Sequence, residues 1–505
     1  MCKYLLGIDI GTSAAKLMLY GTDGVFIAQT SGDFVVIRKD AGWAEQDPNV
    51  WWDVVCGAIR RLLTETKVAP RDIIGVGVDG QSWSAIPIDA EGNVLYNTPI
   101  WMDTRAKDIC EELKSSIGED AIFQICGNPL EPTYTTPKIL WYKKHLPEVY
   151  KKTKKILQSN SFIAYRLTGA LSHDLSQGYG LHFFDMRTCA LNIEMCERMG
   201  IDPELIPPLF ASHEVVGAVT EDAAVRTGLA VGTPVVAGGL DAACSTLGAG
   251  VIRAGQTQEQ GGQAGGMSIC IDEYHADPRL ILSPHVVPGT WLLQGGTVGG
   301  GGILNWFEKE FGAQERMDAA AQGGSVFALM DEEAGQISPG AEGVVFLPYM
   351  SGERSPIWDD KAKGVFYGLD YTKTRAHFIR ASLEGVAYSL MHNLDAASEA
   401  GVEVDVLHAV GGAAKSALWC GIKADITGKE IMMMQADAAA SIGAIILAGV
   451  GAGIYRDFEE AASVFVKSGR RIRPNPDNRG VYEKGYKTYR KLYEQLKDLT
   501  SGEQS

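Results

Sequence analysis

The first stretch of the chain that can do chemistry lies near the amino terminus, where Asp9 ends a β-rich run. The turn Gly11-Thr12-Ser13 follows, and Lys16 comes three residues later. Such a turn offers backbone N–H groups and hydroxyls to phosphate oxygens, and a carboxylate beside it can hold magnesium through water. The GxxxxGK[ST] pattern of a P-loop occurs nowhere in the sequence. On spacing alone, a plain hairpin turn explains these residues equally well.

A second acidic residue, Asp241, comes directly after the strand-like run 233–240 and opens a short helical segment. Folds of the α/β class bind their ligands at the carboxyl ends of strands. Transfer of a phosphoryl group to a hydroxyl needs a base within hydrogen-bond reach of that hydroxyl. Asp241 can be this base, or it can be the N-cap of a helix over 242–247.

Two further segments are rich in glycine. The run 410–416 places Gly411 and Gly412 between a predicted strand and a predicted helix, where bare backbone can border a nucleotide, although close strand–helix packing explains the pair as well. Six of the eight residues in 295–302 are glycine. Glycine has a conformational cost in a loop, so this density predicts that something approaches the backbone closely.

A group of polar and aromatic side chains suits a sugar pocket, where a ring face stacks on the sugar and polar groups bind its hydroxyls. The group stands in two nearby stretches and comprises Gln81, Ser82, Trp83, Asp103 and Arg105. Tryptophan alone is more often part of a hydrophobic core. The histidines show no paired metal spacing, and we interpret them as structural.

The elements around these residues predict an α/β architecture. Three β-rich runs open the chain as a hairpin and a third strand, and a helix is predicted over 48–67 with Asp47 as its N-cap. Strands and helices then alternate. A second strand with an aspartate and a glycine-rich turn appears near the middle, so we predict domains over 1–250 and 251–495.

Composition excludes several classes of function. The formal net charge of −16 argues against nucleic acid binding, which depends on basic residues neutralising phosphates. The nine cysteines form no CxxC pair, a pattern typical of free thiols in a reducing compartment. No amino-terminal signal peptide is apparent, and the apolar stretch 438–455 is shorter than a membrane span needs. We therefore expect a cytoplasmic protein without a membrane partner.

Taken in order, five segments resemble the FGGY family of carbohydrate kinases, and among its members the xylulose kinases. The resemblance covers residues 4 to 495, nearly the whole chain. Each motif is of moderate specificity, and five in the family's order are specific. They read LLGIDIGTSAAKLMLYGTDG (5–24), PLEPTYTTPKILW (129–141), AGGLDAACSTLGAG (237–250), LPYMSGERSPIWDDKAKGVFYGL (347–369) and VGGAAKSALWCGIKADITGKEI (410–431).

This resemblance implies two ribonuclease H-like domains of the actin and hexokinase type around a central cleft. It implies an amino-terminal domain for the sugar and the first phosphate turn, and a carboxy-terminal domain for the nucleotide. By the same resemblance Asp241 is the general base and Asp9 serves Mg²⁺. The implied ATP-binding residues are Gly11, Thr12, Ser13, Lys16, Gly262, Gln263, Gly302, Asn305, Gly411, Gly412, Ala413 and Ser416.

Two positions depart from the family pattern. Xylulose kinases usually carry Gln-Met-His-Gly where this chain reads Gln-Ser-Trp-Ser from Gln81, so Trp83 must reshape the sugar pocket. The usual Gly-Thr-Ser-Gly loop reads Gly262-Gln263-Ala264-Gly265, and an amide replaces the threonine hydroxyl. The first departure concerns the choice of substrate, and the second concerns how ATP is held.

The predicted reaction is ATP-dependent phosphorylation of a ketopentose such as xylulose, with another ketose, a polyol or a sugar acid as alternatives. A different class with the same fold is an actin-like ATPase switch, and another is a sugar-binding regulator without catalysis. The sequence shows no polymer-contact insertion or peptide-binding β-domain that would favour the switch. It leaves open whether the enzyme is a monomer or a homodimer.

Overall fold

The computed structural model describes residues 3–435 and 438–501 and divides the chain into two compact units. Unit one is assembled from three separate stretches, and so is unit two. Unit one comprises Met1–Ile252, Asp272–Leu292 and Ala438–Val466, and unit two comprises Arg253–Ile271, Leu293–Asp437 and Lys467–Ser505.

The part of the chain up to residue 252 alternates strands and helices. The strands are β1 (Tyr4–Ile10), β2 (Ala14–Gly21), β3 (Phe26–Asp33), β4 (Glu45–Gln46), β5 (Ile73–Gly80), β6 (Ile86–Ile88), β7 (Thr98–Pro99), β8 (Lys155–Leu157), β9 (His173–Asp174), β10 (Phe184–Asp185), β11 (Ala190–Leu191), β12 (Leu209–Phe210), β13 (Val215–Ala218), β14 (Pro234–Val236) and β15 (Gly239–Leu240). The α-helices are α1 (Pro48–Thr66), α2 (Lys107–Ser116), α3 (Glu119–Cys126), α4 (Thr135–His145), α5 (Pro147–Lys152), α6 (Ser159–Thr168), α7 (Ile193–Met199), α8 (Glu221–Thr227) and α9 (Asp241–Gly248).

The rest of the chain repeats this alternation. Its strands are β16 (Gln256–Gly261), β17 (Gly265–Ile271), β18 (Ile281–Pro284), β19 (Trp291–Thr297), β20 (Val345–Leu347), β21 (Val365–Tyr367), β22 (Val406–Val410), β23 (Glu430–Met434) and β24 (Ser468–Ile472). Its α-helices are α10 (Gly302–Phe311), α11 (Ala313–Gln322), α12 (Val326–Gly335), α13 (Arg375–Glu399), α14 (Ala417–Thr427), α15 (Ala439–Gly451), α16 (Phe458–Phe465) and α17 (Arg479–Ser501). Short 3₁₀ helices cover Pro70–Asp72, Leu175–Gly180, Pro203–Leu205, Ala341–Gly343, Gly412–Lys415 and Pro476–Asn478.

The two units contain central sheets of the same design. In unit one the strands lie in the order β3–β2–β1–β5–β14–β13, and in unit two in the order β19–β17–β16–β22–β23–β24. Each sheet contains an antiparallel hairpin, β1–β2 or β16–β17, next to two parallel strands and an antiparallel edge strand. This arrangement confirms the α/β prediction. It also shows that the two similar segments noted in the sequence belong to two sheets of the same topology.

Helices cover both faces of the unit-one sheet. Alternate residues of β1 and β5, among them Ile8 and Val78, join a buried apolar cluster with residues of α1 and α6. The opposite face carries glycine, because a Cβ at Gly7 would lie 2.5 Å from the Ser441 carbonyl oxygen of α15. Side chains alternate along a strand, so Asp9, two residues after Gly7, projects from the face that α15 covers.

Most elements predicted from the sequence are confirmed. The first helix begins at Pro48 with Asp47 as its N-cap, and the apolar stretch after Ala438 is the buried helix α15. The tyrosines of α17 pack into a core cluster, led by the buried Tyr482 and Tyr489. Among residues 3–435 and 438–501, no helix has both the length and the apolar character needed to cross a bilayer.

Candidate active site

A row of three charged side chains crosses three neighbouring strands in unit one. Asp9 of β1 is paired with Asp79 of β5 on one side and with Lys16 of β2 on the other. Asp79 is in turn paired with Gly239 of β15, two residues before Asp241. Directly paired residues share one face of a sheet, so the row brings Asp9, Asp79 and Lys16 together next to the start of α9.

Asp79 is the least expected member of this row. Its side chain is 0% exposed, and neither carboxylate oxygen accepts a hydrogen bond from an N–H or O–H group of the described residues. Burial, followed by the charges of Asp9 and Asp241, holds the pKa of Asp79 well above its usual range. The pKa of Asp9 is also raised by burial, while the charge of Lys16 opposes the rise. A site with this electrostatic character is stabilised by a cation.

Asp241, the residue predicted as the catalytic base, is the first residue of α9. Leu240 is the N-cap, and the Asp241 carboxylate accepts a hydrogen bond of 2.7 Å from the N–H of the next residue, Ala242. The alternative that Asp241 is the N-cap is therefore wrong, because its backbone is already helical. Burial and then the charge of Asp9 raise the pKa of Asp241 to about 7. A carboxylate with such a pKa can accept a proton near neutral pH.

The predicted phosphate turn is fixed by side chains from outside the hairpin. The Thr12 carbonyl accepts a hydrogen bond of 2.7 Å from the Gln46 side chain, and the Thr12 hydroxyl oxygen accepts one of 2.9 Å from Trp101. The Gly11 N–H donates to the Ala14 carbonyl at 3.1 Å and closes the turn. Ser13 and Lys16 are exposed, so they can meet a ligand without rearrangement of the core.

The donor set near Asp9 fits a magnesium ion that is held mainly by water and phosphate oxygens. Among the described residues, no three His, Cys, Asp or Glu side chains form a group that can hold a metal by themselves. Mg²⁺ commonly keeps several waters and takes one or two carboxylates together with substrate phosphates. The Asp79 oxygens accept no hydrogen bond among the described residues, and this carboxyl can ionise beside Asp9 when a cation offsets its raised pKa.

The predicted sugar-binding residues Gln81, Ser82 and Trp83 follow directly after β5. The side-chain N–H of Gln81 donates to the side-chain oxygen of Gln46 at 2.8 Å. The side-chain oxygen Oε1 of Gln81 accepts no hydrogen bond among the described residues. The Ser82 hydroxyl accepts a hydrogen bond of 2.7 Å from the Tyr179 hydroxyl. Burial raises the pKa of Tyr179, and the charge of Asp241 adds to the rise.

Trp83 adopts a left-handed backbone conformation, with φ of 58°, which is rare for a bulky residue. Its ring stacks on Tyr134 at 4.1 Å between centroids and lies 5.4 Å from the ring of Tyr179. A Cβ at Gly180 would lie 2.9 Å from the Trp83 ring, so this glycine leaves room for the indole. Tyr134 and Tyr179 were not among the residues predicted from the sequence, because the contact depends on segments about fifty and a hundred residues away.

Asp103 and Arg105 form a buried ion-pair network. The Arg105 guanidinium donates to Asp103 at 2.7 Å and to Glu45 at 2.7 Å, and it stacks over the Trp43 ring at 3.7 Å from the centroid. The Asp103 carboxylate also accepts the Ala44 N–H at 2.6 Å. These contacts engage both charged side chains with partners inside the protein. The role of the pair in sugar binding stays a prediction.

Unit two contains a cavity of about 510 Å³ at the residues predicted to border a nucleotide. Five predicted residues line it, and the lining is mostly apolar, as in sites that take a nucleobase. The lining residues are Gly261, Gly262, Gly301, Leu304, Asn305, Ser325, Phe327, Ala328, Asp331, Gly412, Ala413, Lys415, Ser416 and Trp419.

Glycines from distant parts of the sequence make this cavity possible. The Gly301 N–H donates to the Gly262 carbonyl at 2.6 Å, and the Gly302 N–H donates to the Gln263 carbonyl at 2.9 Å. A Cβ at Gly301 would lie 2.7 Å from the Gly262 carbonyl oxygen. The dense glycine run therefore packs against the β16–β17 turn, which answers what approaches its backbone. Gly412 has open space where a Cβ would stand.

Helix α12 contributes a wall that the sequence did not reveal. Phe327 and Asp331 are four residues apart and share one face of the helix, and both line the cavity. Phe327 is 41% exposed, although it is a large aromatic residue. The hydroxyl of Ser416 caps α14 by accepting the Trp419 N–H at 2.9 Å. An exposed aromatic residue at i with an acid at i+4 was the available signal, but many solvent-facing helices show the same pattern.

Family models match most of the chain. Residues 4–248 match the FGGY family of carbohydrate kinases, N-terminal domain, and residues 273–452 match its C-terminal domain. The chain is 31% identical over 501 residues to the xylulose kinase of Bacillus subtilis, which covers 99% of this chain and 98% of that protein.

Solved structures of carbohydrate kinases are similar to this chain over nearly their whole length, as two examples show. The xylulose kinase of Rhodospirillum rubrum has a TM-score of 0.90 and 30% identity, covering 99% of this chain and 100% of its own. The gluconate kinase of Lactobacillus acidophilus has a TM-score of 0.89 and 26% identity, covering 98% of each chain. These likenesses confirm the predicted two-domain fold of the actin and hexokinase type.

Proposed function

Since the chain belongs to the FGGY family of carbohydrate kinases, we propose that it transfers the γ-phosphoryl group of MgATP to a hydroxyl of a ketopentose such as xylulose. The observation that carries the proposal is the position of Asp241, partly exposed at the start of α9 beside the Asp9–Asp79 pair. Relatives that are named xylulose kinases favour a ketopentose over other sugars.

In the proposed reaction the Asp241 carboxylate takes the proton of the sugar hydroxyl. The hydroxyl oxygen then bonds to the γ-phosphorus while the bond from that phosphorus to the β,γ-bridging oxygen breaks, and ADP leaves. Lys16 and the N–H groups of Thr12 and Ser13 stabilise charge on the transferring group. Mg²⁺, when bound near Asp9, neutralises phosphate charge.

The nucleotide is proposed to occupy the cavity in unit two. Adenosine would lie against Gly411, Gly412, Ala413 and Ser416, with its ring near Phe327. The cavity volume, its apolar lining and its bare backbone support this assignment. The nearby turn residues Gly262 and Gln263, with Gly302 and Asn305, would border the phosphates. In this proposal residues 1–250 provide the sugar and first phosphate sites, and residues 251–495 provide the nucleotide site.

A sugar acid is the second candidate substrate. A gluconate kinase shares 26% of its residues with this chain, and Ser82-Trp83 stands where xylulose kinases usually carry Met-His. A panel of ketopentoses, hexuloses, polyols and gluconate in a coupled ADP-release assay separates these possibilities. We expect the highest kcat/KM with a ketopentose. A higher value with gluconate would replace xylulose as the substrate class.

The role of Asp241 is tested by Asp241→Asn. We expect kcat to fall about 10³-fold or more, because a general base and its orientation of the hydroxyl are lost together, while ATP affinity stays as in the wild type. Retention of most of the wild-type rate would remove Asp241 from this role. We also propose a cytoplasmic location, where ATP and free sugars meet.

A further inference from the structure

The segment from Asp174 to Gln177 is buried, polar and unused by the reaction proposed above. Asp174, Ser176 and Gln177 are each 0% exposed. Burial of polar groups costs free energy unless they are hydrogen-bonded. A cluster of buried polar side chains therefore indicates a specific structural or functional role. The partners of these side chains lie on the strand ends and the turn that surround the proposed base.

Ser176 connects this segment to the residue before Asp241. Its hydroxyl oxygen accepts a hydrogen bond of 2.8 Å from the Leu240 N–H. Its hydroxyl hydrogen is donated to the Asp174 carboxylate. Leu240 is the N-cap of α9, and its N–H has no place in the helix ladder. The Ser176 hydroxyl therefore fixes the backbone from which Asp241 projects.

Asp174 is itself held in place from several directions. Its carboxylate accepts the Gln177 N–H at 3.1 Å and the Asn160 side-chain amide at 2.8 Å. The same Asn160 amide reaches the Ala237 carbonyl at 3.2 Å. Both ends of the turn from Ala237 to Leu240 are thus tied to one buried carboxylate.

The backbone of this turn is also restricted at Gly238. Gly238 has φ of 74°, and a Cβ there would collide with the Val78 carbonyl oxygen of β5. The Gly238 N–H donates to the Ser212 carbonyl at 2.9 Å. At the end of the turn next to Asp241, the Leu240 N–H donates its hydrogen bond to the Ser176 hydroxyl.

We propose that Ser176 is a positioning residue for Asp241, acting through the Leu240 N–H and backed by Asp174. The proposal rests on the assignment of Asp241 as the base. A general base works only within hydrogen-bond reach of its proton, and a displacement of about 1 Å can cost about 10²-fold in rate. Loss of the Ser176 hydroxyl leaves the Leu240 N–H without its partner and lets the turn relax.

The test compares Ser176→Ala with a matched control, Ser172→Ala. Ser172 is equally buried, and its hydroxyl has no hydrogen-bond partner among the described residues. We expect kcat of Ser176→Ala to fall between about 10-fold and about 10²-fold with the KM for ATP unchanged. Ser172→Ala should keep the wild-type kcat, and Ser176→Thr, which restores the hydroxyl, should recover most of the rate.

A kcat of Ser176→Ala within twofold of the control would overturn the proposal, as would equal losses in Ser176→Ala and Ser176→Thr. If Ser176→Ala yields no soluble protein, Ser176→Cys replaces it, since a thiol of similar size is a much weaker acceptor. Asp241→Asn is assayed alongside. If that variant keeps its activity, the base assignment itself has failed, whereas an inactive Asp241→Asn with a fully active Ser176→Ala refutes only the positioning role.

Discussion

The hairpin turns of the two sheets occupy equivalent places and differ in chemistry. In unit one the strand before the turn carries Asp9, paired with Asp79 on the neighbouring parallel strand. In unit two the corresponding positions are Gln260, paired with Val410. One repeat of the fold therefore places two carboxyl groups side by side at these paired positions, whereas the other places an amide beside an apolar side chain.

The surroundings follow the same division. Unit one surrounds its carboxylates with buried, hydrogen-bonded side chains such as Gln46 and Ser176. Unit two instead removes side chains, so that the segments around Gly262, Gly301 and Gly412 border an open cavity. A shared framework thus carries paired carboxyl groups in one unit and bare backbone in the other. Functional sites depend on the residues placed on a fold more than on the fold itself.

Gly412→Val is the substitution that we expect to affect nucleotide binding in the unit-two cavity most strongly. The new side chain enters space that is now open, and Gly412 does not need a positive φ. We expect the KM for ATP to rise about 10²-fold, which corresponds to about 3 kcal/mol of binding, with the KM for sugar unchanged. Gly480→Val is the matched control, because Gly480 is exposed on α17 and also has open space around it. An unchanged ATP KM in Gly412→Val would exclude the cavity as the nucleotide site.

The unit-one side is probed by Trp83→Ala. Removal of the indole takes away the ring that stacks on Tyr134 and borders Tyr179. We expect the KM for sugar to rise about 10-fold through loss of apolar contact, while the KM for ATP stays constant. Trp358→Ala is the control, since Trp358 also has a positive φ, of 48°, and belongs to unit two. Equal effects of the two substitutions on the sugar KM would contradict the assignment.

The smallest expected effect concerns stability and pH. The pKa of Asp241 is raised by burial to about 7, so the folded state favours the protonated form. The contribution of Asp241 to the free energy of unfolding is therefore greatest at low pH and is lost as pH rises from about 4 through about 7. Asp241→Asn removes this ionisation, and we expect its Tm to exceed that of the wild type by about 2 °C or more at pH 8. The difference should shrink towards pH 5. A variant less stable than the wild type at pH 8 would contradict the electrostatic account.

The sequence predicted most of the elements, and several residues that the structure brings into the charged row and the cavity, because their signals are local. Asp47-Pro48 predicts the start of a helix, and a strand followed by a glycine-rich turn predicts a phosphate or nucleotide loop. Asp241 was predicted as the base from such a local pattern and from the family resemblance together.

The residues that were missed depend on contacts between distant segments. Asp79 looked like the ordinary end of a strand, and only its pairing with Asp9 reveals a row of charges. Tyr179 and Ser176 lie in a 3₁₀ segment with no motif of its own, and Phe327 lies on a helix without a distinctive pattern. Register, close approach and the left-handed conformation of Trp83 are products of folding that spacing alone does not encode.

The central claim, that unit one performs the chemistry and unit two holds the nucleotide, is tested most directly by calorimetric titration of a non-hydrolysable ATP analogue. The titration is carried out on the wild type, Asp241→Asn and Gly412→Val. We predict wild-type affinity for Asp241→Asn, although its turnover is lost, and about 10²-fold weaker binding for Gly412→Val. Weak binding by Asp241→Asn together with normal binding by Gly412→Val would contradict the account.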